Sequence, residues 1–216
     1  MNWIWAVGAP LVRAVIGLVF RVRIEGAEHV PRTGAMILAP NHVSVIDGPA
    51  VSAITGTHRR RATHNLIAGE VFSGVIGWIL RQARQIPVRR GTGDTGALDA
   101  AIRAIEDGWV VGIFPEGKVN EDPRGPLQRI RSGLTRVALP TSTPVVPVGI
   151  WGTQSTWPKD GLVRAALVQR PRLAMVFGTP LIPTPGESAT EFRERYRRDL
   201  EHQVLRAREL AGGPSA

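Results

Sequence analysis

The sequence contains no cysteine, and this absence excludes several classes of protein. A chain of 216 residues without a thiol has no disulfide framework, no thiolate nucleophile and no cysteine-ligated zinc or iron–sulfur site. Lysine is nearly missing too, since Lys118 and Lys159 are the only two. The chain also lacks internal repeats and low-complexity tracts, and its length suits a single domain with a core of its own.

The composition has a surplus of positively charged residues. Lysine and arginine number 27 against 18 aspartates and glutamates, which gives a formal net charge of +9. Such a surplus favours an anionic partner: nucleic acid, an acidic membrane surface or a phosphorylated substrate. Nucleic acid is the least favoured of these, because the sequence has no helix-turn-helix, zinc-finger or aromatic RNA-binding signature.

The start of the chain predicts an apolar helix in the plane of a membrane. Residues 3–20 are apolar apart from Arg13. A spanning helix would bury that arginine near the bilayer centre at a cost of about 2.5–3.5 kcal/mol, whereas an interfacial helix lets it reach the headgroups. We therefore predict a membrane-associating helix over residues 1–22 and a single domain over residues 23–216, placed peripherally or monotopically on the cytoplasmic face of the cell membrane. The alternative is an ordinary helix packed on the domain.

Short apolar runs alternate with longer helical patterns in the rest of the chain, which is typical of an α/β sandwich. Several apolar runs are continuous, so we expect a sheet covered by helices on both faces. The last helix begins with a capping box, Ser188-x-x-Glu191, and an apolar stripe from Phe192 to Val204 is predicted to dock on the core. The predicted strands are residues 19–24, 35–39, 64–68, 85–88, 109–114, 144–150 and 172–178, and the predicted helices are 48–55, 70–83, 94–107, 128–139 and 188–210.

His42 and Asp47 stand between the predicted strand 35–39 and the helix that follows it. Open α/β sheets usually place their sites at the carboxyl ends of strands. Five residues of continuous helix would turn the two side chains about 140° apart, so a turn must intervene if they are to meet. With Asp47 at the start of the helix, its carboxylate can reach back to the imidazole. The alternative is that Asp47 only caps the helix and His42 is a solvated loop residue.

Two further strand ends carry polar groups, in the stretches QIPVRRG at 85–91 and GIFPEGKVN at 112–120. With these, the chain resembles the glycerolipid acyltransferase family, which includes the lysophosphatidic acid acyltransferases, over about residues 35–180. NHVSVID matches the His-x4-Asp motif of that family, IPVRRG its arginine motif through Arg90, FPEG its glutamate–glycine motif through Glu116 and Gly117, and VVPVGIWGT its last strand through Pro147.

The resemblance implies a glycerolipid acyltransferase-type mixed sheet flanked by helices, and an O-acyltransferase without metal or cofactor. Such an enzyme moves a fatty acyl group from acyl-CoA or acyl-carrier protein to the free hydroxyl of 1-acylglycerol 3-phosphate, which gives phosphatidic acid in bacterial phospholipid biosynthesis. The implied partners are therefore membrane lipids, lysophosphatidic acid or a related lysophospholipid, and the acyl carrier.

Three positions depart from the family pattern and leave the acceptor open. Lys118 and Val119 stand where many members have threonine and arginine, and Arg89 stands where an aspartate is common. The stretch FPEGKVN resembles the same segment of the tafazzins, which exchange acyl chains between phospholipids without coenzyme A. A lysophospholipid acyltransferase, a glycerol 3-phosphate acyltransferase, a tafazzin-like transacylase and a non-catalytic membrane-binding relative are the alternatives.

The chemistry of acyl transfer assigns roles to the His-x4-Asp motif. His42 is the candidate general base, because the unperturbed pKa of histidine lies close to physiological pH. Asp47 would hold the ring tautomer and stabilise the imidazolium as it forms. Ser44 is an alternative nucleophile, but the resemblance implies direct attack by the substrate hydroxyl, and capping of the next helix explains this serine better.

Five residues are expected to bind substrate. Arg90 and Lys118 are candidates for the phosphate, as a bidentate fork and a point charge, with solvated loop cations as the alternative. Glu116 can bond the glycerol hydroxyls or pair with a neighbouring cation. Gly117 permits close backbone approach or a positive φ, and Asn41, next to the candidate base, completes the set.

Overall fold

The computed structural model describes residues 3–89, 94–158, 161–162 and 168–212. In these residues a seven-stranded sheet has the order β1-β7-β6-β2-β5-β3-β4. Neighbouring strands are parallel except β6 and β7, which are antiparallel. This mixed sheet confirms the predicted fold class. The strands are β1 (Arg21–Glu25), β2 (Met36–Pro40), β3 (Thr63–Ala68), β4 (Ile86–Val88), β5 (Val110–Gly112), β6 (Val145–Trp151) and β7 (Arg172–Phe177).

Helices cover both faces of the sheet. The α-helices of the described residues are α1 (Trp3–Val19), α2 (Asp47–Ile54), α3 (Gly74–Gln82), α4 (Thr95–Glu106), α5 (Gly133–Thr141) and α6 (Ala189–Leu210). Helices α1 and α2 pack on one face, and α4, α5 and α6 pack on the other. In β2, Met36 and Leu38 join the first core while Ile37 and Ala39 join the second, so the strand is apolar at successive positions because both faces are covered.

The predicted strands are all present to within two residues of their expected bounds, but the helices predicted over 70–83 and 128–139 both begin later than expected. The helix expected over 128–139 begins only at Gly133. The residues before it are held in an extended loop, because the N–H of Gln128 donates to the Glu116 carboxylate and the N–H of Arg131 donates to the carbonyl of Pro115. Tertiary hydrogen bonds therefore replace the first helical turns.

Helix α6 docks its apolar stripe on the sheet as predicted. Phe192, Tyr196 and Leu200 are fully buried, and the predicted capping box forms at the start of the helix. The Tyr196 hydroxyl donates to the carbonyl of Ala39 at 2.8 Å, and burial raises the pKa of this phenol well above its ordinary value. The helix thereby holds the end of β2, which is the strand that leads to His42.

Helix α1 packs one face on the domain and exposes another. The Nε1 of Trp5 donates to the carbonyl of Ala83, directly after α3, at 3.3 Å. The packed face fits a helix docked on the domain, while the membrane association of α1 and the division into residues 1–22 and 23–216 stay predictions. None of the helices in the described ranges has the length and apolarity needed to cross a bilayer. The buried side chains of α1 are Trp5, Ala9 and Ile16, and its exposed large apolar ones are Trp3, Val7, Leu11, Val15 and Leu18.

Helix α3 also exposes apolar side chains. It is shorter than the predicted 70–83, because it begins at Gly74, whose φ of 54° follows a 3-10 turn at Gly69–Val71. Because Trp5 of α1 donates a hydrogen bond to the carbonyl of Ala83, which follows α3, the two partly exposed helices are in contact. The exposed large apolar side chains of α3 are Val75, Ile76, Trp78 and Ile79.

Candidate active site

Three neighbouring parallel strands bring the site together. Strand β2 lies between β6 and β5 in the sheet, and the carboxyl ends of these strands share one edge. His42 follows β2, Glu116 follows β5 and Thr153 follows β6. Side chains that are far apart in sequence therefore converge on the turn formed by residues 41–47.

His42 and Asp47 form a hydrogen-bonded pair. The Nδ1 atom of His42 lies 3.1 Å from Oδ2 of Asp47, and the aspartate side chain is buried while the histidine side chain keeps 15% of its surface exposed. The ring of Phe114 packs against the imidazole with the centroids 4.3 Å apart. Within the described ranges, Nε2 of His42 makes no hydrogen bond. One ring nitrogen is thus engaged by the carboxylate and the other is available.

Asp47 begins α2, but its carboxylate does not cap that helix. Oδ2 accepts from the backbone N–H groups of Val43 at 2.7 Å and Ser44 at 2.8 Å, and Oδ1 accepts from the hydroxyl of Thr153 at 2.7 Å. These bonds close the turn that the five-residue spacing requires, and they direct the carboxylate to the imidazole. The partial positive charge at the start of α2 stabilises the same carboxylate.

Ser44 has its hydroxyl committed inside the protein. It is fully buried, its hydroxyl donates to the carbonyl of Trp157, and it accepts from the N–H of Ile46 at 3.3 Å. A hydroxyl that donates to a carbonyl and is closed off from solvent is not placed to attack a thioester. The geometry therefore favours a local role at the start of α2 over the nucleophile alternative.

Glu116 is buried beside the pair, where its carboxylate holds backbone groups. Oε1 accepts from the N–H of His42 at 2.8 Å and Oε2 from that of Gln128 at 3.3 Å. Burial raises the pKa of Glu116, and the hydrogen bonds from these two amides oppose the rise. Only 2% of the residue is exposed. The Glu116 carboxylate therefore holds the backbone of His42, and its expected contact with the acceptor hydroxyls stays a prediction.

Asn41 is turned inward as well. Its Nδ2 donates to the carbonyl of Ile150 at 3.1 Å, and its Oδ1 accepts from the N–H of the same residue at 2.7 Å. Both ends of the carboxamide are used and the residue is 1% exposed. These two bonds join the end of β2 to β6 and fix the turn just before His42, and the expected substrate contact of Asn41 stays a prediction.

A cation that the sequence motifs did not identify lies across the glutamate–glycine loop. The Nε of Arg131 donates to the carbonyl of Glu116 at 3.0 Å. Gly117 has a φ of 72°, which disfavours any residue with a side chain, and a Cβ at this position would lie 2.8 Å from Cδ and Nε of Arg131 and would displace the arginine. Lys118 is exposed next to this contact. Arg131 stands outside the motifs, so its positive charge is the only feature of the sequence that indicates a role in phosphate binding.

The role expected for Arg90 and the expected absence of a metal also stay predictions. Arg90 lies outside the described residues; the strand before it, β4, is at the sheet edge and is separated from β2 by β5 and β3. The expectation that no metal is needed is untested as well, and the described ranges contain no group of three or more His, Asp or Glu side chains placed to hold one.

Comparison with known proteins adds a family to this geometry. The chain matches the sequence model of the acyltransferase family over residues 21–151, which is more than half of the chain. An uncharacterized protein of Mycobacterium tuberculosis is 33% identical over 190 residues, which cover 82% of this chain and 48% of the relative. The chain thus spans about half the length of the mycobacterial relatives that it matches.

Characterised relatives and a solved structure agree with that match. The 1-acyl-sn-glycerol-3-phosphate acyltransferase of Bacillus subtilis is 24% identical over 175 residues, which cover 80% of each chain. The crystal structure of the 1-acyl-sn-glycerophosphate acyltransferase of Thermotoga maritima is similar with a TM-score of 0.79 and 22% identity, covering 98% of this chain and 81% of that one. This likeness in structure supports the fold.

Proposed function

The chain belongs to the acyltransferase family, and we propose that it transfers a fatty acyl group from acyl-CoA or acyl-carrier protein to the free hydroxyl of 1-acylglycerol 3-phosphate. The product is phosphatidic acid, an intermediate of phospholipid biosynthesis. The observation that carries the proposal is the His42–Asp47 pair, in which the carboxylate engages Nδ1 and leaves Nε2 available. The similarity to the Bacillus subtilis enzyme supports the choice of acceptor.

In this proposal His42 is the general base. Its Nε2 takes the proton of the acceptor hydroxyl while the hydroxyl oxygen attacks the thioester carbonyl. The new C–O bond forms, the C–S bond breaks, and the departing thiolate takes the proton from the imidazolium. Asp47 keeps the proton of the neutral ring on Nδ1 and stabilises the imidazolium between the two proton transfers. No covalent acyl-enzyme, metal or cofactor enters the scheme.

Glu116 and Phe114 restrict the motion of the base. The Glu116 carboxylate holds the backbone N–H of His42 at 2.8 Å, and the Phe114 ring packs on the imidazole. A base that is fixed from its backbone and from its ring face reaches the acceptor hydroxyl without a search among rotamers. Such fixed orientation is a large part of what an enzyme supplies to a reaction between two bound groups.

The acceptor phosphate is proposed to bind the exposed cations beside the base. Arg131 crosses the loop at Gly117 and uses Nε on a carbonyl, which leaves its two terminal nitrogens for a bidentate contact. Lys118 adds a point charge on the same loop, and Arg90 stays a third candidate. Arg131 donates to the carbonyl of Glu116, and the carboxylate of Glu116 accepts from the N–H of His42. Glu116 therefore connects the proposed phosphate site to the base.

Replacing Arg131 by alanine is expected to raise the KM for lysophosphatidic acid about 10- to 100-fold, because a hydrogen bond to a charged group contributes roughly 1.5–3 kcal/mol. The KM for acyl-CoA should stay within about twofold. The matched control is Arg103→Ala, which removes an exposed cation from the last turn of α4. Steady-state kinetics with both substrates varied make the measurement, and an unchanged KM for the acceptor would exclude Arg131 from the phosphate site.

The exposed apolar faces of α1 and α3 support a membrane-associated enzyme, which we place on the cytoplasmic face of the cell membrane. Leu11 and Leu18 of α1 are 63% and 73% exposed, and Val75 of α3 is 74% exposed. Long-chain lipid substrates reside in the bilayer. An interfacial helix therefore brings the site to its acceptor, and the surplus of positive charge favours anionic lipid.

The double substitution Leu11→Ser and Leu18→Ser is expected to weaken binding to phosphatidylglycerol-containing vesicles at least about tenfold, because each buried leucine contributes about 1.5–3 kcal/mol. Vesicle sedimentation measures the change. The matched control, Ile182→Ser with Leu205→Ser, removes two apolar side chains that are 58% and 43% exposed elsewhere on the surface. Equal loss in both variants would show that the surface in general, and not α1, contacts lipid.

A second candidate is transacylation between phospholipids or acylation of another lysophospholipid. The observation that favours it is the tafazzin-like FPEGKVN segment, in which Val119 stands where many acyltransferases have an arginine. In the structure, however, Arg131 lies against the same loop and supplies a guanidinium there. We therefore keep 1-acylglycerol 3-phosphate as the proposed acceptor.

An acceptor screen separates the two candidates. Purified full-length protein is incubated with radiolabelled acyl-CoA or with a labelled diacyl phospholipid, and with lysophosphatidic acid, lysophosphatidylcholine, lysophosphatidylglycerol or glycerol 3-phosphate. The proposal predicts labelled phosphatidic acid from acyl-CoA and lysophosphatidic acid at the highest rate. Label that moves only from the diacyl phospholipid would establish the transacylase in its place.

A further inference from the structure

We propose that Thr153 is a positioning residue that acts on the reaction through Asp47. The inference rests on the proposed acyl transfer, and it extends the His42–Asp47 pair to a third residue that comes from β6. In sequence Thr153 belongs only to the end of the stretch VVPVGIWGT. Its relation to Asp47 appears only when β6 and β2 are placed side by side.

The two oxygens of Asp47 have different sets of partners. Oδ2 accepts from Nδ1 of His42 and from the N–H groups of Val43 and Ser44. Oδ1 accepts from the Thr153 hydroxyl at 2.7 Å, and no other donor bonds it among the residues that the structure describes. Because Asp47 and Thr153 are both fully buried, water does not replace this hydroxyl.

The backbone around Thr153 is fixed by its own contacts. Gly152 has a φ of 108°, and a Cβ there would clash with the carbonyl oxygen of Arg172, so the chain turns sharply into a 3-10 turn at Thr153–Ser155. The Ser44 hydroxyl ties the same segment to the His42 turn at the carbonyl of Trp157. The Thr153 hydroxyl is therefore held in position before any substrate binds.

Loss of this hydroxyl would leave a buried, charged oxygen without a donor. An unsatisfied buried acceptor is costly, so the carboxylate would turn to share its remaining donors and would no longer face the imidazole squarely. The ring tautomer and ring orientation, which the carboxylate sets, would be lost in part. This effect belongs to the chemical step, because Thr153 is fully buried and has no surface that a substrate could contact.

Two substitutions separate the hydroxyl from the shape of the side chain. Thr153→Val keeps the branched shape and removes the donor, whereas Thr153→Ser keeps the donor and removes a methyl group. With acyl-CoA and lysophosphatidic acid as substrates, we expect kcat to fall about 10- to 100-fold in the valine variant, by analogy with residues that orient the ligands of metal sites through a hydrogen bond. Both KM values should stay within about twofold, and the serine variant should keep at least about half of the activity.

A double-mutant cycle tests whether Thr153 acts through Asp47. In an Asp47→Ala background, adding Thr153→Val should cost less than about a further twofold, because residues that act as a unit are not additive. Thermal unfolding of each variant checks that the chain is folded at the assay temperature. If the valine variant does not fold, Thr153→Ala must show the same selective loss of kcat.

The outcomes distinguish this inference from the proposed function. Three results would each overturn the role of Thr153 while leaving acyl transfer intact. They are wild-type activity in Thr153→Val, a serine variant as impaired as the valine variant, and an equal loss of kcat when Thr153→Val is added to Asp47→Ala. A wild-type protein that transfers no acyl group to any acceptor would overturn the proposed function, and the role of Thr153 with it.

Discussion

Replacing His42 by alanine is expected to lower kcat/KM for acyl transfer to lysophosphatidic acid by about 10³- to 10⁴-fold, at the upper end of what a general base contributes. The reason is that Nε2 of His42 is the one ring nitrogen placed to take the hydroxyl proton once Nδ1 is held by Asp47. The backbone N–H that Glu116 holds is unchanged by the substitution, so the turn should keep its shape. Steady-state transfer of labelled acyl groups measures the loss.

The matched control for this prediction is His202→Ala. His202 is exposed on α6 and its ring contacts Gln203, so its removal should leave activity within about twofold. Circular dichroism and thermal unfolding establish that both variants are folded. A His42→Ala variant that retains more than about a tenth of the wild-type rate would mean that another group takes the proton.

Replacing Asp47 by asparagine is expected to lower kcat by about 10³- to 10⁴-fold, comparable with the loss of the orienting aspartate in a serine protease triad. An asparagine has one acceptor oxygen, while Asp47 accepts from Val43, Ser44, His42 and Thr153. With its NH₂ toward His42 the amide faces the N–H donors and leaves the imidazole in the wrong tautomer. With its NH₂ toward Thr153 that hydroxyl must turn to accept, and in both cases the negative charge that stabilises the imidazolium is lost. Single-turnover transfer isolates the chemical step.

The same substitution should also lower the stability of the fold, since a buried donor is left unsatisfied at a cost of about 1–3 kcal/mol. Urea unfolding measures that loss, and Asp99→Asn on the exposed face of α4 serves as the matched control for both effects. If Asp47→Asn were destabilised but kept its kcat, Asp47 would be a structural residue of the turn and would have no part in catalysis.

Much of the fold was predictable because it depends on short-range patterns. The continuous apolar run at 35–39 becomes β2, which is buried on both faces, and the stripe from Phe192 to Val204 becomes the docking face of α6. The helix expected over 128–139 begins later than predicted, because N–H groups of its first residues donate hydrogen bonds to acceptors in the loop that follows β5. Helical spacing of apolar residues carries no information about such a distant acceptor.

The sequence predicted that His42, Asp47 and Glu116 lie at strand ends, and the structure brings them together, but the contacts of the individual side chains were not predictable. The motifs pointed to Asn41 and Glu116 as substrate-binding residues, yet the structure uses both side chains to hold backbone next to His42. Whether a polar side chain faces substrate or protein depends on neighbours from other strands, which the linear sequence does not specify. The motifs do not identify Thr153 or Arg131 for the same reason. Thr153 bonds Asp47, which follows another strand, and Arg131 bonds the distant Glu116 in the long loop between β5 and α5.

The most direct test of acyl transfer by His42 is the release of free thiol from acyl-CoA or acyl-carrier protein, measured with and without lysophosphatidic acid. We expect release that depends on lysophosphatidic acid, is matched mole for mole by phosphatidic acid, and disappears in His42→Ala. Thiol release that does not depend on any acceptor, or transfer that continues in His42→Ala at the wild-type rate, would contradict a base at His42 acting on a lipid hydroxyl.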